Sequence, residues 1–417
     1  MLPGARLPWY YGWNVLAVAM VFQAMTFGIG LYCFTFWVVP WTEEFSVGRG
    51  EVMMVFFTMQ VVLGFAGPFA GRAVDGRSIR TLVIAGALSM GAGLALAGLA
   101  TSLWQILVLY GTLFVPGLLL AGPLTAQALA AKWFTRRRGL AIGISTVGTS
   151  LGGFLTPLLV TGLQAAYGWR DANLVLALIV VAAVVPLVWL FVRNSPEAAG
   201  MAGEVAEDGS PAVAIENFPI WTTASILRTP VFWMMVLAFT PVVTAMGAIQ
   251  QNLAPFAADR GFDAQATSVL VSIMALVMVG AKVFFGAMAD RWDHRYLFLF
   301  AQALMAGVFV MARGEIDYGG LVIVCVLLGC AGGGMLPLLG AVVGSRFGAA
   351  AFGQVMGLLG PFTTLAAVGP WIAGYVRDAS GSYDQAWIIF LFMLIPAAVG
   401  SLSLGARRAP VSSAAVG

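Results

Sequence analysis

Twelve stretches of this chain are long enough to cross a lipid bilayer and nearly free of charge. A hydrocarbon core of about 30 Å needs roughly 20 apolar residues of helix. The runs are residues 12–40, 50–72, 80–100, 103–131, 139–166, 171–193, 230–257, 266–289, 296–312, 319–345, 353–376 and 385–405. Their few charges sit at run ends, with one exception, Lys282. A soluble domain carries about 25% charged residues, whereas this chain is 60% hydrophobic and 9% charged. Lipid must therefore be its solvent. The runs are continuous rather than alternating, which excludes a membrane barrel. The expected fold is all-α and integral to the membrane. The first run continues beyond the length of a signal-peptide core, so no cleavable leader is expected.

Charge placement orients the spans. With the N-terminus inside, the inner loops and ends hold fifteen basic residues, and the outer ones hold five, Arg49, Arg170, Arg260, Arg313 and Arg377. The positive-inside rule thus places both termini in the cytoplasm. The net charge of +3 is too small to argue for nucleic acid. Cys33, Cys325 and Cys330 all lie in apolar runs, with neither a disulfide framework nor metal spacing. His294 is the only histidine. No metal, cofactor or catalytic cluster is expected, and the chain reads as a non-enzyme.

The segment 194–228 is small, polar and acidic, and reads as a linker. It separates a bundle at 1–193 from one at 229–405, with a cytoplasmic tail at 406–417. The two halves repeat at an offset of about 214 residues. Gly71-Arg-Ala-Val-Asp75 matches Gly286-Ala-Met-Ala-Asp290, Pro123 matches Pro337, and "WRDA" from Trp169 matches "YDQA" from Tyr383.

Two parallel six-span halves joined by a linker resemble the major facilitator superfamily. The sharper likeness is a loop motif of that family, G-x-x-x-D-R/K-x-G-R/K-R/K, after the second and eighth spans. The copies here are "GRAVDGRSIR" (Gly71 to Arg80) and "GAMADRWDHR" (Gly286 to Arg295). Each keeps the glycine, the aspartate and basic residues, and loses the later glycine. The resemblance implies a gating role for Gly71, Asp75, Arg77, Gly286, Asp290, Arg291 and Arg138. Glycine would let neighbouring helices approach, and aspartate would pair with arginines and helix N-termini.

"KWFTRRRGLAIGISTVGTSLGG" (Lys132 to Gly153) is similar to the junction of spans four and five in the monocarboxylate transporter and oxalate:formate antiporter branch. "WYYGWNVLAVA" and "QNLAPFAADRGF" are also similar to bacterial members. That branch carries a basic residue, usually arginine, four places before the glycine of the second motif. Lys282 stands there. It lies about 12 Å along the helix from Asp290 at 1.5 Å per residue, too far to snorkel free of the core. A charge facing lipid would cost about 2.5–3.5 kcal/mol even on the lenient scale. A water-filled cavity that receives an organic anion removes the difficulty. Lysine is a point charge rather than a planar fork, and its pKa falls readily on desolvation, so Lys282 could hold a carboxylate and could also carry a proton.

The resemblance implies a secondary transporter of the cytoplasmic (inner) membrane. It would move a small organic monocarboxylate by alternating access, by H+ symport or anion exchange, as a monomer. Substrate contacts would come from Lys282, Tyr32, Asn252, Gln251, Thr35 and Thr364. The chain departs from the branch at Met278, where proton-coupled members carry aspartate, and at Asn252, where many bacterial relatives carry histidine. Two other readings stay open. A drug-efflux facilitator usually carries Gly-Pro in span five, where this chain has "GGFLTPLL". A non-transporting sensor on a carrier scaffold usually carries an added signalling domain.

Overall fold

The computed structural model describes residues 10–134, 138–199, 201, 221–289 and 291–404. No strand occurs among them. Eleven helical stretches are long and apolar enough to cross a membrane. One, Ala141–Phe191, is divided at Gly168, where φ is 75° and ψ 170°. With its two parts counted separately, the described residues hold twelve spans, in agreement with the apolar runs.

Several spans are less regular than their hydropathy suggests. The first runs as α-helix over Gly12–Phe27, as π-helix over Gly28–Tyr32 and as 3-10 helix over Phe34–Trp37. A short α-helix, Val38–Phe45, follows. The fourth, Leu103–Trp133, contains a second π-turn at Tyr110–Phe114 and breaks at Ala121 and Gly122 before Pro123. Glycine permits the first π-turn. A Cβ at Gly28 would stand 2.6 Å from the Thr156 hydroxyl, and one at Gly30 would stand 3.3 Å from the Phe114 ring. Phe114 belongs to the second π-turn, so the two irregular segments pack on each other.

The expected loop between spans ten and eleven is a single residue. Tyr318–Leu365 is helical throughout except at Gly348, where φ is 76° and ψ 171°. Only glycine adopts that backbone region without strain. Arg346 and the glycines around it read as loop punctuation, yet one left-handed glycine suffices for the turn. Span eleven then breaks again at Ala366 and Ala367, ahead of Val368–Ser380.

The repeat is visible in three dimensions at the offset of about 214 residues. Ser46 (φ 53°) ends the helix after span one, and Gly261 (φ 80°) takes the corresponding place after span seven. Gly168 and Gly381, both with positive φ, precede spans six and twelve. Arg170 donates to the carbonyls of Gly98 and Ala100, closing the end of span three. At the matching place Asp384 accepts from the Gly314 backbone N–H. The two positions have kept their pairing while its chemistry has reversed.

Contacts divide the chain into two compact units. One comprises Met1–Ser210 with Gln251–Ala275, the other Pro211–Gln250 with Leu276–Gly417. In the first unit, span one lies against span five through small residues. A Cβ at Gly148 would meet the Met20 backbone at 2.7 Å, and one at Gly152 would collide with the backbone of Ala24. Aromatic residues fill the end that carries the Ser46 turn: Trp41 stacks on Trp37 and meets Tyr110 and Trp169 edge-on. In the second unit, Gly332, Gly333 and Gly334 of span ten admit Met246, Ala281 and Phe285 at 2.6–2.7 Å from where a Cβ would stand. Large side chains such as Phe65, Leu178, Val283 and Phe392 are 63–76% exposed, which suits a surface in contact with lipid.

Two stability predictions follow from this packing. Gly152→Leu forces span five off span one and lowers the melting temperature in detergent, by about 1–3 kcal/mol of overpacking. A melting point equal to the parent's would contradict the close approach. Gly168→Ala strains the turn by about 1–3 kcal/mol. Gly162→Ala, at a helical position with open space around it, leaves the melting point unchanged or raises it. Equal effects at 162 and 168 would refute the backbone argument.

Candidate functional site

Four of the six residues expected to contact substrate lie in the first unit, on two facing segments. Tyr32 ends the π-turn of span one and is buried. Its ring meets Phe27 edge-on at 6.4 Å and occupies the space left by Gly153, where a Cβ would stand 2.8 Å from it. Thr35, also buried, accepts a hydrogen bond from the Ala254 backbone N–H at 2.8 Å. Gln251 closes span seven, and its side-chain amide donates to the Leu31 carbonyl at 3.1 Å. Asn252 is fully buried at the break between that helix and Leu253–Ala258. Thr35 and Gln251 are therefore engaged in holding segment 251–254 against span one.

Lys282 and Thr364 belong to the second unit. Lys282 is half-buried in Ala264–Ala289 and is the one charged residue of those 26. Its neighbours Met278, Ala281 and Phe285 face the glycine run of span ten, while Val283 and Phe284 are exposed. Lys282 lies between the packed and exposed faces. Thr364 is half-buried, and its hydroxyl donates back to Gly360 at 3.2 Å, as does that of Thr363 at 2.7 Å. Such back-bonding satisfies the hydroxyl within its own helix. Thr149 does the same with Thr146. Ser145 instead accepts from Gln23 of span one, with Nε2 at 3.2 Å from its hydroxyl and 2.9 Å from its carbonyl.

The loop motifs are described in part. Asp290, the side chain of Asp75 and the side chain of Arg138 lie outside the described residues. Arg77 is exposed and caps the second span through its backbone N–H to the Ala73 carbonyl. Arg291 is also exposed, and its N–H bonds to the Met288 carbonyl. At Gly71 and at Gly286 an added Cβ would meet nothing within 4 Å. Among the described residues, therefore, no side chain or backbone packs against these two positions. Lys132 reaches the Val74 carbonyl at 3.5 Å, where a cation complements the negative end of the second helix.

One pair was not foreseen. Arg49 grips Asp259 with both terminal guanidinium nitrogens, at 2.7 and 2.6 Å, and donates to the Pro255 carbonyl at 3.1 Å. The two side chains are 10% and 23% exposed. Nearby, Arg170 holds Glu44 at 2.9 Å. That hydrogen bond keeps the Glu44 carboxyl below the usual carboxylate range. Arg49 and Asp259 are 210 residues apart, and nothing in the local sequence links them.

A family model of the Major Facilitator Superfamily matches residues 16–370 and 252–416. Monocarboxylate transporter 4 of Gallus gallus is 25% identical over 389 residues, spanning 91% of this chain and 79% of that protein. Monocarboxylate transporter 2 of Homo sapiens is 25% identical over 414 residues, spanning 93% and 84%. A solved structure of a bacterial homolog to the human lysosomal transporter Spinster superposes with a TM-score of 0.74 at 14% identity. It covers 96% of this chain and 97% of that one, and likeness at that identity speaks for the fold alone. The chain belongs to the major facilitator superfamily and is a multi-pass membrane transporter related to the monocarboxylate transporters, not an enzyme.

Proposed function

We propose that the chain carries a small organic monocarboxylate across the cytoplasmic membrane by alternating access, with Lys282 holding the anion. The observation that carries this reading is a half-buried cation inside a 26-residue apolar span, two turns from its end, with no other charge in the span. Such a residue is expensive in a membrane and, as a rule, faces a bundle interior or a wet cavity. A single cation matches a monoanion better than a dicarboxylate. The names of the relatives, monocarboxylate transporters, agree with that charge class. Lysine binds as a compact point charge, which suits a cargo that must be released as well as held.

The remaining expectations form part of the same proposal. Both termini face the cytoplasm, the functional unit is a monomer, and the bundles comprise 1–193 and 229–405 with a linker between. Coupling is by proton symport or by exchange of one anion for another. Tyr32, Asn252, Gln251, Thr35 and Thr364 complete the substrate contacts in the course of the cycle.

Uptake of labelled lactate, pyruvate and formate into proteoliposomes tests the central assignment, with and without an inward proton gradient. Lys282→Gln lowers uptake of the accepted acid about 30-fold or more, because removing one member of a desolvated charge pair costs about 2–5 kcal/mol. Lys282→Arg retains measurable uptake. Parent-like uptake by Lys282→Gln would make the lysine structural and remove the basis of the proposal. Stimulation by the gradient identifies symport, and stimulation only by unlabelled acid on the far side identifies exchange. Orientation has its own check. A cysteine at position 408 reacts with an impermeant maleimide in inside-out vesicles and not in right-side-out ones. The reverse pattern would overturn the assigned topology.

A further inference from the structure

We infer that Arg49 and Asp259 form a latch that closes the outer end of the transport path and must open in each cycle. The inference rests on the alternating-access reading and goes beyond the assignment of cargo. Segment Gln251–Ala275 belongs by sequence to the second repeat, yet it packs with the helices of the first unit. Among the contacts of the described residues, four tethers stand out. Arg49 binds Asp259 through a two-pronged ion pair and takes the Pro255 carbonyl as a third acceptor. Thr35 accepts from Ala254 N–H, Gln251 donates to Leu31, and Ser272 donates to the Phe154 carbonyl at 2.7 Å.

The tethers differ in chemistry. Three are neutral hydrogen bonds, replaceable by water when the segment moves. The fourth is a paired charge in a largely buried place, and a planar fork on a carboxylate is directional as well as strong. Arg49 is also the first residue of the second span, Arg49–Gly76, where the helix dipole disfavours a cation. Asp259 follows the last turn of Leu253–Ala258, where the dipole disfavours an anion. Neither charge is placed to stabilise its own helix, and each is stabilised by the other. That is the pattern of a contact selected for pairing two segments. A cavity of about 260 Å³ lies beside it, lined in part by Thr35, Phe36, Gln164, Ala254, Phe262 and Asp263. It gives the segment room to withdraw. Arg170 and Glu44 form a nearby pair of different character, more exposed and wholly within the first repeat.

Accessibility of position 254 tests the latch without a substrate. Ala254→Cys is placed in a background of Cys33→Ser, Cys325→Ser and Cys330→Ser. Its rate of reaction with a membrane-impermeant maleimide is measured in right-side-out vesicles. Ala254 is 6% exposed, so the rate is low while the latch is closed. Arg49→Gln and Asp259→Asn each raise it about tenfold or more, since each leaves a largely buried charge unpaired. Arg49→Lys, which keeps the charge but not the fork, raises it less. Glu44→Gln leaves it unchanged. Parent-like rates in both Arg49→Gln and Asp259→Asn overturn the inference, as does an equal increase in Glu44→Gln. A wrong choice of cargo appears only in the uptake measurement with Lys282→Gln, so the two failures are distinguishable.

Discussion

Water does not reach the hydrocarbon core of a bilayer, so every backbone N–H and C=O there must find a partner inside the protein. The irregular places in this chain are arranged to meet that demand. In the first π-turn the Cys33 N–H reaches back to the Gly28 carbonyl at 3.1 Å, so the ladder widens without losing a bond. At the break in span four the Ala121 carbonyl has no helix to continue into. The Thr26 hydroxyl of span one lies 2.8 Å from it, and Thr125 covers the Leu120 carbonyl from the following helix at 2.9 Å. The turns at Gly168 and Gly348 each take one residue, which limits the number of exposed carbonyls.

The same demand governs the buried polar side chains. Gln23 joins spans one and five through Ser145, and Gln302 joins span nine to Ser401 of span twelve at 2.8 Å. Interhelical bonds of this kind contribute about 0.6–2 kcal/mol each in a membrane, so they select which faces meet more than they hold the bundle together. Close packing does the holding, and glycine makes it possible where spans one and five approach through Gly148 and Gly152. The polar residues and the small residues therefore serve one end: they bring helices together in a solvent that does not drive them to associate.

Much of this was legible in the sequence because the bilayer reduces the problem to one dimension. Length and hydropathy marked the twelve spans, and charge marked the loops between them. The repeat was legible as well, and its structural form went further, with Arg170 and Asp384 guarding matching positions by opposite chemistry. Loop length was less legible: residues 346–352 read as a loop, yet a single glycine, Gly348, turns the chain. The π-turns were invisible, because an apolar run reads alike whether its ladder steps by four residues or five. The Arg49–Asp259 pair was invisible for a different reason. Each residue looked like an ordinary loop charge, and only folding reveals that a loop in one repeat faces the start of a helix in the other.

Arg49 and Lys282 are two cations in an apolar protein, and their chemistry suits opposite tasks. Arginine offers a rigid fork that matches one carboxylate in one orientation, and Asp259 occupies it with both oxygens. Such a contact has two discrete states, made and broken, with little between them. It defines a conformation. Lysine offers one rotating ammonium on a flexible stem, which accepts an anion from many directions and demands little geometry in return. A residue of that kind tolerates a cargo whose position shifts as the surrounding helices move. On the roles proposed for them, exchanging the two residue types would give a carrier that grips its substrate in a fixed pose and closes its mouth loosely, which is the wrong division of labour for a cycle that must release what it binds.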